Sequence, residues 1–215
     1  MFSRPTSDSR RPAAREDFFR PVPTEGALRL ADGQRAAALP AEFLHSLHET
    51  LARDLGENAP QVLYACGYEW SLQDMVRLTR RLGAEFAGGN LDLWQLDARF
   101  VLDTWWAPLT AAGWGAWTLD LSTHLKGITF VELRHSAVAA IRPGASEPVC
   151  HLYAGLFAGA LSFFERSENH AVEIQCAATG HAACKFVIGP GAQIDAVESW
   201  RKQGASADEI RRRLS

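Results

Sequence analysis

The sequence predicts an α+β fold, an antiparallel sheet packed against several helices, and three observations in its 215 residues lead there. Apolar residues recur at helical spacing as far as Leu109 and switch to a period of two after Gly113. Residues 150–165 are apolar almost all round, the pattern of a helix buried on every side. Two short apolar runs, 171–176 and 183–188, then meet across Gly180 as a terminal hairpin.

In chain order, residues 1–25 carry Arg4, Arg10, Arg11, Arg15 and Arg20 among Pro, Ser and Asp without a period. That composition reads as a flexible tail, in which the adjacent Phe18 and Phe19 could dock on a partner or pack back. A single domain is expected over 26–190 and a helical tail over 191–215. Residues 26–31 (GALRLA) suit a short strand. Phe43, Leu44, Leu47 and Leu51 mark a helix from Pro40 that Gly56 stops. A second helix spans 60–82 with Gly83 as its stop, and Gly67 inside it permits close packing or a kink. A third spans 91–109 and carries Trp94 and Trp105.

Strands follow at 114–121 and 127–133, joined by a hairpin connection at 122–126. Residues 137–141 either continue extended or turn into the loop 142–148. In the buried helix, Gly155-x3-Gly159 lets another backbone approach. Residues 194–202 and 207–214 read as short helices, the second opened by a capping box of Ser206 and Glu209.

Composition sets outer limits. A net charge of −3 makes no electrostatic case for nucleic acid or an anionic membrane surface. No apolar run approaches the roughly 20 residues that a membrane-spanning helix needs. The Arg- and Ser-containing start has no apolar core of a secretory signal. Four cysteines without a disulfide framework suit a reducing compartment, so a soluble cytoplasmic protein is expected.

Three of those cysteines and one carboxylate form the principal candidate site: Cys150, Glu173, Cys176 and Cys184, at intervals of 23, 3 and 8 residues. Zinc takes four soft or borderline ligands in a tetrahedron, and structural sites fill every position with protein. Three thiolates and a carboxylate meet that demand and leave no place for a reactive water. The competing reading is three buried cysteines acting as small apolar side chains. His181, in the turn between Cys176 and Cys184, could replace Glu173 as fourth ligand. His151 reads as a helix-cap or supporting group.

The segment 113–188 resembles the 4-vinyl-reductase domain family, relatives of which include the aromatic-sensing input domains of phenol- and xylene-responsive activators and the TRAPP vesicle-tethering subunits. The residues that carry the resemblance are Gly113-Trp114-Gly115, Arg134-His135-Ser136, Glu147-Pro148-Val149-Cys150, Tyr153-Ala154-Gly155, and Glu173-x2-Cys176-x3-Gly180-x3-Cys184-x-Phe186. The phenol sensors hold zinc through Cys, Glu, Cys and Cys at the same intervals. The resemblance therefore implies a structural zinc on Cys150, Glu173, Cys176 and Cys184, a fold like those sensors and TRAPP subunits, and a homodimer.

It also implies a small-molecule cavity near the tryptophans, five of which crowd into residues 94–117. The bland alternative is an aromatic core, since Trp buries about 150–250 Å². The expected lining is Trp114 or Trp117, Phe130, Leu133, Tyr153 and Phe157, close to the zinc without including it. Here the chain departs from the phenol sensors, which grip the phenol hydroxyl with a His and a Trp. Leu133 stands at the Trp position, and small Ala160 and Ala171 stand where pocket aromatics would align. A larger hydrophobic aromatic or tetrapyrrole-like ligand is expected instead of phenol.

Three functions compete: a ligand-binding sensor or carrier acting through a partner protein, a tethering or interaction subunit without ligand, and a vinyl reductase. No Gly-x-Gly-x-x-Gly follows a strand, and no nucleophile and base pair by spacing. The expectation leans away from an enzyme, with no catalytic residue assigned.

Overall fold

The computed structural model describes residues 18–86 and 92–215. The arginines expected in the tail before Phe18 lie outside them, as does Leu91, the start of the expected third helix. The described residues divide into two compact units between Ala38 and Leu39. This differs from the expected division at residue 25, because Phe19–Val22 (β1) pairs antiparallel with Ala27–Leu30 (β2), which pairs with Arg35–Ala36 (β3). The tail thus contributes a strand of its own. Gly26 turns β1 into β2 in the left-handed region, at φ 57°.

In the second unit, helices Ala41–Leu55 (α1), Ala59–Phe86 (α2) and Ala98–Ala111 (α3) precede the main sheet. The expected 91–109 helix is shorter at its start. Asp92 instead caps a 3-10 turn over Leu93–Gln95, and the Asp97 carboxylate accepts from Phe100 N to open α3. Two acidic caps five residues apart favour two starts over one continuous helix.

The main sheet is Ala116–Asp120 (β4), Thr129–Arg134 (β5), His170–Gln175 (β6) and Cys184–Gly189 (β7), in spatial order β4-β5-β7-β6 and antiparallel throughout. Between β5 and β6 come a one-turn helix Ala137–Ala140 (α4), resolving the open reading of 137–141, and His151–Glu165 (α5). Gly191–Lys202 (α6) and Ala207–Leu214 (α7) close the chain, with the Ser206–Glu209 capping box in place.

Alternation in the strands sorts the side chains into two cores. The inner face carries Leu119, Val131, Leu133, Ala171, Cys184, Phe186 and Ile188, packed on α5, with α2 and α3 completing the layer. The outer face carries Phe130, Ile174 and Val187 against Ile194 and Val197 of α6 and Ile210 of α7. The residues expected to form a C-terminal tail are therefore a packed layer of the domain.

Helix α5 is buried along nearly its whole length, as its composition predicts. It reaches α2 through glycine contacts. A Cβ on Gly155 would collide with the Tyr64 carbonyl, one on Gly67 with the Leu152 carbonyl, and one on Gly159 with Ser71 and Tyr68. Gly67 serves close packing, since α2 runs unbroken through it.

A candidate metal centre beside an aromatic wall

The start of α5 and the β6–β7 hairpin bring the candidate ligands together. Cys150 is the residue before α5, Glu173 lies on β6, Cys176 follows β6, and Cys184 opens β7. Glu173 and Cys176 are an odd number of residues apart, which in a regular strand would place them on opposite faces. A register shift between Glu173 and Gln175 removes the conflict. It lets Ile174 face the outer core while Cys176 returns to the inner one.

The loop before Cys150 is pinned to the hairpin by Gly144 N and Ala145 N, which donate to the Ala178 carbonyl at 2.9 and 3.1 Å. Its path starts from His135, held at φ 56°. Ser136 then caps α4 through Ala139 N at 3.1 Å and sits 3.4 Å from Cys150 Sγ. A non-glycine residue in the left-handed region costs roughly 1–3 kcal/mol and persists only where its surroundings hold it. Sequence reasoning gave Ser136 no role; its position as the cap after a strand was the available signal.

The three sulfurs are 3.6 Å (Cys150–Cys184), 4.0 Å (Cys150–Cys176) and 4.0 Å (Cys176–Cys184) apart. A disulfide needs about 2.05 Å. A tetrahedron with metal–sulfur bonds of about 2.3 Å has edges of about 3.8 Å. One carboxylate oxygen of Glu173 completes the group, and all four ligand atoms lie within 4.8 Å of one another. All four residues are buried, so the cluster could hold a metal ion.

The electrostatics support the same fit. Four acidic groups in one buried space cannot all ionise unaided. Hydrogen bonding with Cys176 and Cys184, together with burial, pushes the Cys150 thiol far up. Burial and the neighbouring Cys176 charge push the Glu173 carboxyl up to about 8. Hydrogen bonds from Cys150 and Cys184 hold Cys176 well below the ordinary thiol range. Glu173 Oε2 accepts from Cys150 N at 2.9 Å, but Oε1 is buried without a hydrogen-bond partner. An orphaned carboxylate oxygen is costly, and a bound cation would satisfy it and reverse the proton balance. Ala177 N donates to Cys184 Sγ at 3.3 Å, a contact that favours the thiolate. His181 is exposed, with Nδ1 at 3.1 Å from Thr179 Oγ1 and 3.2 Å from the Cys176 carbonyl, and it does not join the cluster.

The expected ligand-lining residues fall into two groups. Trp117, Leu133 and Cys184 are consecutive register partners on the inner face, so one rung of the sheet runs from the aromatic region to the cluster. Trp117 stacks on Trp106 at 5.0 Å between centroids and on Phe157 at 5.8 Å. Phe157 meets Phe186 at 5.0 Å, Tyr153 meets Phe157 at 6.3 Å, and Trp114 meets Tyr153 at 6.0 Å and Trp70 at 5.2 Å. Trp70 on α2, Trp106 on α3 and Phe186 on β7 belong to this wall although the sequence did not mark them as lining.

Phe130 is the exception. It precedes Val131 on β5 and so faces outward, where Arg211 of α7 lies 4.7 Å over its ring. There it lines a cleft of about 370 Å³ with Thr118, Glu132, Lys185 and Asp208. The two-residue period that puts Val131 and Leu133 inward excludes Phe130 from the inner wall.

The wall has an unspent polar capacity. Trp106 Nε1 donates to the Gly115 carbonyl at 3.1 Å, and Trp105 Nε1 to Asp74 at 3.1 Å. Tyr153 Oη donates to the Trp114 carbonyl and accepts from Ala137 N at 3.3 Å. The Gly113-Trp114-Gly115 turn makes this possible: Gly115 sits at φ 126°, and a Cβ there would lie 2.9 Å from the Arg134 carbonyl. The indole N–H groups of Trp70, Trp114 and Trp117, all half-buried, donate to no acceptor among the described residues.

Comparison with known proteins places this arrangement. Residues 129–190, from β5 through β7 and including all four cluster residues, match the V4R domain. The resemblance to the 4-vinyl-reductase family therefore holds over that segment. The structure is similar to the phenol-responsive sensory domain of the transcription activator PoxR, solved with phenol, at 22% identity and a TM-score of 0.61, covering 80% of this chain and 84% of that one. It aligns also with a vinyl-4-reductase family protein from Methanocaldococcus jannaschii (16% identity, TM-score 0.48, 71% and 82% covered). A trafficking protein particle complex subunit 3 from Naegleria fowleri, covalently bound to palmitic acid, aligns at 10% identity and TM-score 0.47, with 69% and 93% covered. No curated protein sequence matches. The α+β class and the sensor-domain-like fold expected from sequence are both present. Among the described residues, no helix is long and apolar enough to cross a membrane.

Proposed function

We propose that this protein is a zinc-stabilised domain that binds a hydrophobic aromatic or tetrapyrrole-like molecule, as sensor or carrier, and acts through a partner protein. The observation that carries the reading is the continuous aromatic wall with three unspent indole donors, one rung from the cysteine cluster. A binding site of this kind is mostly apolar with a few placed polar groups. The Trp117 N–H can hold a ligand hydroxyl or carbonyl. The rings touch one another, so a flat ligand enters by replacing ring–ring contacts with ring–ligand contacts of similar energy, roughly 0.5–1.5 kcal/mol each.

Zinc suits the cluster because three thiolates and a carboxylate are the ligand types it takes, and four protein ligands make a closed, structural site. Bound there, it would supply folding energy by clamping the start of α5 to the β6–β7 hairpin. Cys150, Cys176, Cys184 and Glu173 would hold it, leaving the wall to shape the ligand site.

A second reading, an interaction subunit without a ligand, is favoured by the ring-to-ring contacts themselves and by exposed Phe43, Leu47 and Val62 on α1 and α2. The same exposed residues support the homodimer.

Titration of tryptophan emission with phenol, multi-ring aromatics and a tetrapyrrole separates the two readings. Saturable quenching by a larger aromatic is expected. Trp117→Phe, which keeps the ring and loses the donor, should weaken that ligand about fivefold, the worth of one hydrogen bond near 1 kcal/mol. If no compound changes emission or melting temperature, the interaction reading replaces the sensor reading.

A further inference from the structure

Helix α1 is attached to its domain by an unusual anchor. Of its 15 residues only Leu44 and His48 are buried, and His48 is 2% exposed. Leu44 is its one buried apolar side chain, worth about 1.5–3 kcal/mol, with Leu51 and Ala52 half-buried. His48 is the other buried side chain of the helix, so whether the imidazole suits its buried seat bears directly on docking.

The groups facing that imidazole include one fixed cation and two further imidazoles. Arg142, just beyond α4, is the strongest charged neighbour, and His151 of α5 comes next. From α1 itself come Glu49 and His45. Helix α4, Ala137–Ala140, contributes no titratable side chain. Glu49, the one anion, is half exposed and lies 3.5 Å from Arg142, so it is already shared. His45 Nδ1 lies 3.1 Å from the Ile141 carbonyl, a second polar tie from α1 to the same corner.

The far end of α1 is built to turn. Gly56, at φ 54° and ψ −126°, separates α1 from the 3-10 turn that leads into α2. That conformation is open to glycine and strained for other residues.

We propose that His48 is an acid-sensitive latch: neutral, it fits its buried seat and holds α1 down, and protonated beside Arg142 it releases α1 about the Gly56 hinge. Burial first, and then the Arg142 charge, keep the docked imidazole below its ordinary value of 6.5. Above that value the ring is neutral whether α1 is docked or released, and docking is unaffected. As pH falls below it, the released helix takes a proton that the docked helix refuses, and docking weakens until the lowered docked value is reached. Release would lift the face bearing Leu44 and His48 from the body of the domain.

Hydrogen exchange of the full chain at pH 7.5 and 5.0, corrected for intrinsic rates, tests this. Metal content is measured at both values, because acid also competes for thiolate ligands. Protection of residues 41–55 should fall roughly tenfold at the lower pH, while peptides of α2 and α5 hold theirs. His48→Leu should keep α1 equally protected at both values, and His45→Gln should behave like the wild type. Should His48→Leu fail to fold, His48→Gln, neutral at both values, takes its place. A merely structural histidine would lower protection equally at both pH values when replaced. The proposal is overturned if residues 41–55 of the wild type follow α2 at both values, or if the neutral variants lose protection in acid as the wild type does.

Discussion

Replacing Cys176 by serine tests whether the buried cluster is a folding element. Its sulfur sits 4.0 Å from each of the other two sulfurs and within 4.8 Å of the Glu173 carboxylate oxygen. One substitution therefore removes a corner that touches each of the other three ligands. Structural zinc in small sites contributes roughly 10–16 kcal/mol, so one ligand in four is worth about 3 kcal/mol. Serine also leaves Cys150, Cys184 and Glu173 buried with an incomplete set of partners. For a chain of this length 1 kcal/mol moves the melting temperature by about 2–4 °C, which places the variant about 6–12 °C below the wild type. The control is Cys66→Ser, an exposed thiol outside the cluster, for which a change within about 0.5 kcal/mol is expected. Melting followed by tryptophan emission, with elemental analysis of the same samples, gives both readouts. A Cys176→Ser protein that melts with the wild type would refute the reasoning, as would wild-type protein holding less than about half an equivalent of zinc.

Two further outcomes follow from packing. Gly155→Ala places a methyl against the Tyr64 carbonyl, where backbone cannot step aside, and should cost about 2 kcal/mol or more in denaturant unfolding; a neutral result would mean that α2 and α5 are farther apart than described. Light scattering at micromolar concentration should return about twice the chain mass of 23.6 kDa, and the single-chain mass would remove the dimer.

The sequence carried the core of the site because its chemistry is local. Cysteine, glutamate and glycine at fixed intervals constrain a hairpin whatever the rest of the chain does, and the β6–β7 hairpin obeys them. The capping box at Ser206 and the Gly67, Gly155 and Gly159 contacts were legible for the same reason: each is a residue type whose use is narrow. The bulge at residues 173–175 was implicit in the odd spacing of Glu173 and Cys176, yet only the register reveals it. The long third helix failed because apolar spacing continues from Leu93 through Leu109, while Asp97, a single capping side chain, decides where α3 begins. Similarly, β1 lay hidden in a stretch rich in arginine and proline, because only pairing with β2 makes a strand of it.

Composition is weakest on the question that decides function. A tryptophan that fills a core and a tryptophan that faces a ligand bury similar areas, so their number in residues 94–117 favours neither. What separates them is where each indole N–H goes. Trp105 and Trp106 spend theirs on Asp74 and on the Gly115 carbonyl, as core tryptophans must. Trp114 and Trp117 hold theirs back while their rings stay in the wall. The division follows the backbone: Gly115 presents its carbonyl to α3, and β4 turns Trp117 away from it along the rung that leads through Leu133 to Cys184. A cation at the cysteine cluster would therefore fix one end of that rung, and the free indoles at the other end are where the fold has polar recognition left to offer.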